Sequence, residues 1–553
     1  MRRDRTTLQR VPSPHRAGAW IAARLRAIAG VAILGAALAI AVAAPAAFAA
    51  PTGESDNIAV TLLSEEASVA PGRPFAVGVR MKIREGWHTY WRNPGDAGLP
   101  LAIEWSLPDG FTAGPISWPA PERMPTGSLM SYGYERDVLF PVEITPPASL
   151  AGDSILLAGR FDWLECSDVC LAGSATLDLA LPVRRAAPSA PPEPGPDAAL
   201  FRAARARMPR SADGWAIAAE AGPRAISISI VPPEGEEVRG GYFYADRPLI
   251  VEYAAPQGFE RTAGGVRVTA TPASNDSGLP PRLTGVLALE GRGGSAPTAL
   301  AVDVALSAGD PTPAPVPSSR PLGTALAAGT AVVTAAFFVV FLALRRRRKG
   351  ESMTRLLTLA CLLAAFPQTP LVHAAPVAGK PAPAISLPDM DGKTVRLADF
   401  KGKFVVLEWV NFDCPFVGKH YGSGQMQALQ KKYTAQDVVW ITICSSAKGK
   451  QGHVTGPEAA ALVAERDAAP SRFLLDPKGA VGKAYAAKTT PHMFVIDPKG
   501  VLLYDGAIDD KPSTRREDLA TAKNYVVAAL DAAMAGTSVE TSRTQPYGCS
   551  VKY

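Results

Sequence analysis

Apolar and polar residues alternate through much of the first third of the chain. Between residues 56 and 183, short alternating runs such as 75–79 and 139–142 are separated by proline and glycine at intervals of about ten residues. A period of two is typical of strands with one buried face, and turns at this spacing are typical of β-sandwiches. Because no helical periodicity interrupts the pattern, it predicts an all-β domain over residues 56–183.

A second strand pattern follows residues 184–196, a stretch rich in proline and alanine that has the composition of a linker. Residues 197–309 contain alternating runs at 225–231 and 249–253, and they lack cysteine. Their charged residues are scattered on the expected solvent faces of the strands. The pattern predicts a second β-rich domain that serves as a structural or docking unit.

Two apolar segments indicate export and membrane anchoring. Residues 1–50 combine arginines, an apolar run and small residues near position 49, which is the pattern of a signal peptide, with an uncleaved anchor as the alternative. Residues 322–344 are 23 consecutive positions without a charge, which is long enough to span a bilayer. The basic run 345–349 that follows predicts a cytoplasmic end, with the β domains on the outer side.

Residues 353–374 resemble a second signal peptide inside the chain. A methionine and an arginine precede an apolar run, which ends at residues 372–374 in the form of a cleavage site. Either two adjacent reading frames were joined here, or a natural fusion kept the segment as a helix that returns the chain to the outer side. A buried helix in a cytoplasmic linker is the remaining interpretation.

The pattern changes again after residue 380, where strands and helices alternate. The apolar runs 404–410 and 438–443 suit buried parallel strands, with a helical stretch at 419–432 between them. Two further strands meet at the turn 497–500, and a closing helix is expected over 519–534. Residues 380–553 are therefore predicted to form one α/β domain.

Composition narrows the function classes. The chain has a net charge of +6 and only six cysteines. The basic runs that produce this charge flank apolar segments, so they indicate membrane topology and argue against a nucleic-acid partner. Six cysteines in 553 residues are too sparse for a disulfide-stapled scaffold, and their placement suggests redox use in an oxidising compartment.

Cys166 and Cys170 follow the alternating strand 161–164. Their spacing lets the two sulfur atoms pair across a tight turn. Such a short loop gains little stability from a disulfide, which favours a redox role over a structural clip. A zinc site is disfavoured because no second pair of ligands lies nearby, and no soluble cofactor is implied because the cysteines themselves carry the electrons.

Four strings around this pair resemble the N-terminal domain of DsbD-type thiol:disulfide interchange proteins: GWHTYWRNPGD at 86–96, EW at 104–105, WPAP at 118–121 and YGYE at 132–135. The resemblance covers residues 56–183 and implies an immunoglobulin-like sandwich. It also implies that Cys166 and Cys170 receive electrons from a membrane domain and pass them to periplasmic partners. Tyr132 and Tyr134 are candidates for shielding the pair, with plain core packing as the alternative, and His88 is interpreted as structural.

The chain departs from that family in its membrane part. The family moves electrons through a polytopic membrane domain with its own cysteines. This chain has one good predicted span, and a single cysteine, Cys361, lies in its apolar segments. We therefore expect the electrons to come from a separate membrane donor of the DsbD type.

Cys414 lies between a predicted strand and a predicted helix, where the helix N-terminus favours the thiolate. The string TTPH at 489–492 resembles the thioredoxin cis-proline loop, which would bring Pro491 beside Cys414. The strings at 413–421 and 548–553 resemble a peroxiredoxin-like, or redoxin, branch of the thioredoxin superfamily. This resemblance covers residues 380–553 and implies a thioredoxin fold.

Val417 stands where thioredoxins carry their second cysteine, so exchange within the motif is impossible, and the partners of a peroxidatic cysteine are lacking as well. Cys549, on a C-terminal tail that could fold back, and Cys444, at the end of a strand parallel to the one before Cys414, are the candidate partner thiols. A buried, inert Cys444 is the alternative for that residue.

The sequence thus predicts a multidomain protein: all-β immunoglobulin-like sandwich domains, one transmembrane helix, then an α/β thioredoxin fold. The expected function is thiol–disulfide exchange with periplasmic proteins, by soluble domains that face the periplasm from the bacterial inner membrane. The alternative is a partner-binding β-sandwich module attached to a redox-inactive thioredoxin scaffold.

Overall fold

The computed structural model describes residues 52–184, 191–273, 278–291, 298–309 and 375–553. The expected signal peptide at 1–50, the expected membrane helix at 322–344 and the signal-like segment at 353–374 lie outside these residues. Among the helices of the described ranges, none is both long and apolar enough to cross a membrane.

The first β region forms β-sheets, as the alternating pattern predicted. Three sheets run in the orders β1-β2-β3-β9-β6, β11-β10-β5 and β4-β8-β7. Their strands are β1 (Thr52–Glu54), β2 (Ile58–Ser64), β3 (Phe75–Ile83), β4 (Thr89–Gly95), β5 (Ala102–Ser106), β6 (Thr112–Ile116), β7 (Glu122–Thr126), β8 (Leu129–Tyr134), β9 (Val138–Thr145), β10 (Ser154–Cys166) and β11 (Cys170–Pro182).

The long hairpin of β10 and β11 carries the first cysteine pair. The two strands stay in register from Ser154 opposite Pro182 to Cys166 opposite Cys170, so the cysteines close the tip of the hairpin. Trp163 lies flat across the neighbouring strand at Gly173, where a Cβ atom would come within 2.1 Å of the indole. A larger residue at this glycine would push the tryptophan away from the cysteine tip.

Helix α1 (Ala198–Ala206) is an element that the sequence pattern did not reveal. Phe201 is fully buried and packs over Gly78 of β3, where a Cβ atom would lie 2.9 Å from the ring. Leu63 and Leu139 complete this small cluster. The helix therefore covers a face of the first β region, although it begins in the stretch expected to open the second one.

The second β region is one sheet in the order β14-β17-β18-β12-β13-β16-β15. Its strands are β12 (Ala216–Ala221), β13 (Ile226–Val231), β14 (Gly240–Ala245), β15 (Gly258–Thr262), β16 (Gly265–Ala270), β17 (Arg282–Glu290) and β18 (Thr298–Ala308). The ring of Tyr132 meets those of Tyr242, Tyr244 and Tyr253 edge-on at centroid distances of 4.9–6.2 Å. The two β regions therefore share one hydrophobic core.

The α/β region has a five-stranded sheet in the order β23-β22-β21-β25-β26. Strands β21, β22 and β23 are parallel, and β25 and β26 are antiparallel to their neighbours. This arrangement confirms the expected thioredoxin fold. The strands are β19 (Ser386–Pro388), β20 (Thr394–Arg396), β21 (Val405–Trp409), β22 (Val439–Cys444), β23 (Arg472–Leu475), β24 (Thr489–Thr490), β25 (His492–Ile496), β26 (Leu502–Gly506) and β27 (Cys549–Ser550).

The helices of this region are α2 (Pro415–Gly422), α3 (Gln425–Thr434), α4 (Gly456–Glu465), α5 (Ala480–Ala484) and α6 (Tyr525–Met534). The helix expected at 419–432 is divided in two, because Gly424 adopts a left-handed conformation with φ of 78°. The closing helix begins later than expected, at Tyr525, where the Asn524 side chain accepts a hydrogen bond of 2.9 Å from the Val527 amide.

Candidate redox site

Cys414 is the residue immediately before helix α2, and Pro415 opens the helix. Its sulfur donates a hydrogen bond of 3.0 Å to the carbonyl oxygen of Thr490. The peptide bond between Thr490 and Pro491 is cis. The structure therefore brings Cys414 and the Pro491 loop together, as the sequence motifs predicted, and it buries the thiol almost completely.

Cys549 reaches Cys414 through a strand pairing. Strand β27 pairs antiparallel with β24, so that Cys549 faces Thr490 and Ser550 faces Thr489. The Cys549 and Cys414 thiols are close enough for each to shift the pKa of the other. Of the two candidate partner thiols, the structure therefore brings Cys549 into contact with Cys414.

The two thiols have opposite acidities. Burial alone would raise the pKa of Cys414, but interactions with the Cys549 thiol, the Thr490 side chain and the Val417 amide outweigh it and lower the pKa to about 7. Burial raises the pKa of Cys549 well above its ordinary value, and the interaction with Cys414 raises it further. Cys414 is therefore about half ionised near pH 7, whereas Cys549 stays protonated.

Contacts on both sides of Cys549 hold the C-terminal tail in place. On the N-terminal side, the Tyr547 ring packs against Phe416 at a centroid distance of 5.7 Å, and its hydroxyl lies 3.2 Å from Lys419 Nζ. On the C-terminal side, the Tyr553 hydroxyl donates to the Ala487 carbonyl at 2.7 Å. These anchors fix the position of the tail cysteine.

Cys444 lies at the end of β22, as predicted, and is buried. Its thiol donates to the carbonyl oxygen of Gly452 at 3.2 Å. Burial raises the pKa of this thiol. A protonated sulfur that is bound to a backbone carbonyl suits the interpretation of Cys444 as an inert core residue.

Cys166 and Cys170 form a disulfide with their Cα atoms 4.2 Å apart. Backbone hydrogen bonds of 2.9 and 3.0 Å join His88 to Cys166 in both directions. The His88 ring contacts the Tyr90 hydroxyl at 3.2 Å. Burial, followed by the charge of Lys552, lowers the pKa of His88 to about 4, so the ring is neutral at physiological pH, which fits the structural role expected of it.

The disulfide faces the α/β region rather than solvent. The Cys170 amide donates to Gln451 Oε1 at 3.3 Å, and Lys552 Nζ lies 3.7 Å from the Cys170 sulfur. Nearby, the Gly98 amide donates to the Gly548 carbonyl at 3.2 Å. Both glycines have positive φ angles, 124° and 137°, so a side chain at either position would be strained in this close approach.

The sulfur atoms of both pairs belong to one buried junction. A single hydrophobic cluster contains Cys166, Cys170, Cys414 and Cys549, together with Cys444. Its members from the first β region also include Tyr90, Leu99, Met124 and Leu164. The sequence predicted two separate redox centres, and the fold brings them together.

Charged contacts border this junction. Lys450 forms an exposed ion pair of 2.7 Å with Asp168 in the turn between the two cysteines. Lys488 forms a largely buried ion pair of 2.8 Å with Asp96 and lies 3.7 Å from Glu252 of the second β region. These pairs join the α/β region to both β regions.

Tyr132 and Tyr134 lie away from the disulfide. Both are fully buried in the core that the two β regions share. The Tyr132 hydroxyl meets that of Tyr242 at 2.9 Å, and the Tyr134 hydroxyl donates to the Pro119 carbonyl at 2.7 Å. Their contacts favour core packing over shielding, and Tyr90 takes the position beside the cysteines instead.

Glu408 is a buried polar residue that the sequence reasoning missed. It lies on β21, six residues before Cys414, and is fully buried. Four side chains donate to its carboxylate at 2.9–3.3 Å: Tyr421, Trp440, Thr442 and Gln430. Burial raises the pKa of Glu408 despite these donors. A single acidic residue inside the apolar run 404–410 was the signal that could have identified it.

Within the ranges that the structure describes, no group of three or more His, Cys, Asp or Glu side chains is arranged to hold a metal ion.

Two family descriptions match the chain. Residues 59–182 match the N-terminal domain of the thiol:disulfide interchange protein DsbD, and residues 377–524 match the redoxin family. These matches confirm both resemblances noted in the sequence. No curated protein matches the chain.

Several solved structures are similar to parts of the chain. The N-terminal periplasmic domain of ScsB from Proteus mirabilis aligns with 45% of this chain and 94% of its own, at 21% identity and a TM-score of 0.35. An uncharacterized conserved protein from Geobacillus kaustophilus aligns with 32% of this chain and 92% of its own, at 28% identity and a TM-score of 0.28. A thiol:disulfide interchange protein from Bacteroides sp. aligns with 27% of this chain and 88% of its own, at 21% identity and a TM-score of 0.21.

Proposed function

Since the chain contains a DsbD N-terminal domain and a redoxin domain, we propose that it is a thiol:disulfide oxidoreductase whose two cysteine pairs exchange electrons with each other. One pair is Cys166 and Cys170 at the tip of the β10–β11 hairpin, and the other is Cys414 and Cys549. The observation that carries the proposal is the burial of these four sulfur atoms in one hydrophobic cluster, where Cys170 also contacts Lys552 of the tail that carries Cys549.

Each cysteine has a distinct role in this proposal. Cys414, with its pKa lowered to about 7, is the attacking thiolate. Cys549 is the resolving cysteine, because its thiol already contacts Cys414 and Val417 occupies the usual resolving position. Cys166 and Cys170 are the exchange partner of this pair. The Pro491 loop holds the Thr490 carbonyl against the Cys414 sulfur.

We further propose that the exchange serves exported proteins. The signal-like residues 1–50 and the apolar segment 322–344 support a location at the bacterial inner membrane, with the β domains (56–183 and 197–309) and the thioredoxin-like domain (380–553) facing the periplasm. The partners would be periplasmic thiol and disulfide proteins, together with a membrane electron donor of the DsbD type. These expectations rest on the sequence and on the domain matches.

One observation favours the alternative of a partner-binding module with a redox-inactive scaffold. Cys414 and Cys549 are at most 1% exposed, so an external protein disulfide has no access to them in this arrangement. Exchange with an outside partner therefore requires the tail or the first β region to move away.

A redistribution assay separates the two functions. The fully oxidised full-length chain receives one equivalent of dithiothreitol, is quenched with acid at intervals and is alkylated, and mass spectrometry then counts the thiols at each pair. The exchange proposal expects thiols to move between the pairs until they reach equilibrium. Cys414→Ser should stop this redistribution, whereas Cys444→Ser should leave it unchanged.

The scaffold alternative predicts a different result in the same assay. Thiols would appear independently at each pair, and the rate at Cys166 and Cys170 would be the same with and without Cys414. That result would overturn the exchange proposal.

A further inference from the structure

Lys552, the penultimate residue, is a buried cation among the cysteines. Only 7% of the residue is exposed. Its Nζ atom lies 3.7 Å from the Cys170 sulfur and 3.2 Å from the Ser550 hydroxyl. An ammonium group in a buried position destabilises the fold unless an anion or a strong acceptor compensates its charge.

No carboxylate in the described ranges forms an ion pair with Lys552. The nearest acidic group on the facing turn is Asp168, and it is paired with the exposed Lys450 at 2.7 Å. Besides Asp168, the groups that favour the charged form of Lys552 are the Cys549 and Cys414 sulfurs. Because Asp168 is already paired with Lys450, an ionised cysteine is the buried group that can offset the charge of Lys552.

The backbone holds Lys552 firmly in this position. The Ala447 amide donates to the Lys552 carbonyl at 2.7 Å, and the Val551 amide donates to the Lys488 carbonyl at 3.0 Å. Together with the pairing of Cys549 and Thr490, these bonds fix the tail on both sides of the disulfide contact. The ammonium group is therefore directed at Cys170 by the fold.

We propose that Lys552 is a catalytic residue of the exchange, which stabilises the thiolate released at Cys170. This inference rests on the proposed exchange between the two cysteine pairs. It also assigns the direction of attack: Cys170, the cysteine that contacts the α/β region, is the one that is attacked.

The bond changes follow from this assignment. The Cys414 thiolate forms a bond to the Cys170 sulfur, the bond between Cys166 and Cys170 breaks, and the electron pair leaves on Cys166. Cys549 then loses its proton and attacks Cys414, which expels the Cys170 thiolate beside Lys552. The two protons released by the C-terminal thiols are taken up by Cys166 and Cys170. Two electrons and two protons thus pass to the N-terminal pair, and the reverse direction uses the same steps.

The charge of Lys552 gives the exchange a characteristic pH profile. Burial lowers the pKa of Lys552, while Cys549, Cys414 and Asp168 oppose that shift and Lys450 adds to it. The neighbouring His88 ring is neutral at physiological pH, since its pKa is about 4. The rate should therefore rise as Cys414 ionises near pH 7 and fall again at higher pH, where Lys552 loses its proton.

The redistribution assay tests this role with three variants of the full-length chain. Lys552→Gln removes the charge, Lys552→Arg keeps it, and Lys499→Gln is the control, because it neutralises an exposed lysine on a turn of the same region. Lys552→Gln should slow redistribution about tenfold at pH 7 and abolish the fall in rate at high pH. Lys552→Arg should restore most of the rate, and Lys499→Gln should match the parent chain.

The outcomes distinguish a failure of the proposed function from a failure of the role of Lys552. If the parent chain does not redistribute thiols, the proposed function fails. If the parent chain redistributes them and Lys552→Gln has the same rate and pH profile, the function stands and the role of Lys552 is overturned.

If Lys552→Gln lowers the melting temperature, a measurement on the parent chain tests the role of Lys552 instead. Alkylation of Cys170 in the reduced chain should then show a midpoint below the ordinary cysteine pKa of about 8.5. A midpoint at or above that value would overturn the role of Lys552.

Discussion

Cys549 lies opposite Thr490 across two short antiparallel strands, although 59 positions separate them along the chain. Thr490 is also the residue whose carbonyl accepts the hydrogen bond of Cys414. The same peptide segment therefore positions both thiols of the C-terminal pair. A change that displaces the tail should separate the two thiols without removing either.

Gly548→Ala should produce such a displacement. The added Cβ atom would lie 2.2 Å from the Thr490 carbonyl oxygen, and the φ angle of 137° is one that alanine rarely adopts. We expect the rate of thiol redistribution to fall at least tenfold, because Cys549 can no longer resolve Cys414. The acid-quenched assay described above measures this rate.

Gly536→Ala is the matched control for that change. Gly536 also has a positive φ angle, 75°, but a Cβ atom there meets nothing within 4 Å. It should cause comparable backbone strain without a loss of exchange. Equal losses of redistribution rate in the two variants would show that backbone strain alone slows the exchange. The position of the tail would then not explain the effect of Gly548→Ala.

The acidity of Cys414 should be visible in its alkylation by iodoacetamide. Because the pKa of Cys414 is about 7, its thiolate fraction rises between pH 6 and pH 8. Cys414 of the reduced chain should therefore react roughly tenfold faster at pH 8 than at pH 6. Cys549→Ala removes a neighbour that stabilises the thiolate, so the midpoint should move to higher pH. A midpoint that stays at about 7 in this variant would contradict the interaction between the two thiols.

The disulfide of Cys166 and Cys170 should contribute little to stability. The loop that it closes spans a sequence separation of only 4, for which the chain-entropy estimate is about 2 kcal/mol. Reduction of the pair should therefore lower the free energy of unfolding of the first β region by no more than this amount. Urea unfolding of the oxidised and reduced chains measures the difference, and a loss of several kcal/mol would identify the bridge as a structural clip.

Lys488→Met should loosen the junction between the domains. The variant leaves Asp96 buried without its cation, which costs about 3–5 kcal/mol. Burial opposes the charge of Lys488, but Asp96 and Glu252 raise its pKa above the ordinary 10.5. The stabilisation is therefore complete at neutral pH and is lost as the pH rises through the raised value.

Limited proteolysis reports this loosening directly, since separated domains expose the junction. Lys499→Met, on an exposed turn of the same region, is the control and should leave the digestion pattern unchanged. Equal resistance of both variants would mean that the ion pair does not hold the domains together.

The side of the membrane on which the α/β region lies is testable by fusion. Alkaline phosphatase joined after Ala375 should be active, because the signal-like segment 353–374 is expected to return the chain to the outer side. A fusion after residue 349 should be inactive and serves as the control. An inactive fusion at Ala375 would place the α/β region in the cytoplasm and exclude exchange with the first β region.

Local chemistry was readable from the sequence alone. A strand, a cysteine and a helix follow one another around Cys414, and the pairing of Cys166 with Cys170 needs only a short turn. Both features depend on residues close together in the chain, so periodicity and spacing were sufficient to predict them. The same reasoning predicted the β-sheet regions and the α/β domain, whereas the thioredoxin fold was implied by the resemblance of the motifs around Cys414 and Pro491.

Helix α1 and the environment of Tyr132 were decided by packing. Phe201 is helical because it fills the space above Gly78, and no local sequence pattern identifies Gly78 as its neighbour. Tyr132 is conspicuous in the sequence, but the second β region surrounds it with three further tyrosines instead of the disulfide. Tertiary contacts of this kind override local propensity.

The meeting of the two cysteine pairs is the part that only the tertiary structure decided. Cys170 and Lys552 are separated by 382 positions and meet at 3.7 Å. Such a contact results from the packing of two independently patterned domains, and the pattern of one domain contains no information on the position of the other. The sequence by itself determined which cysteines lie on which element, whereas the buried junction determined which of them face each other.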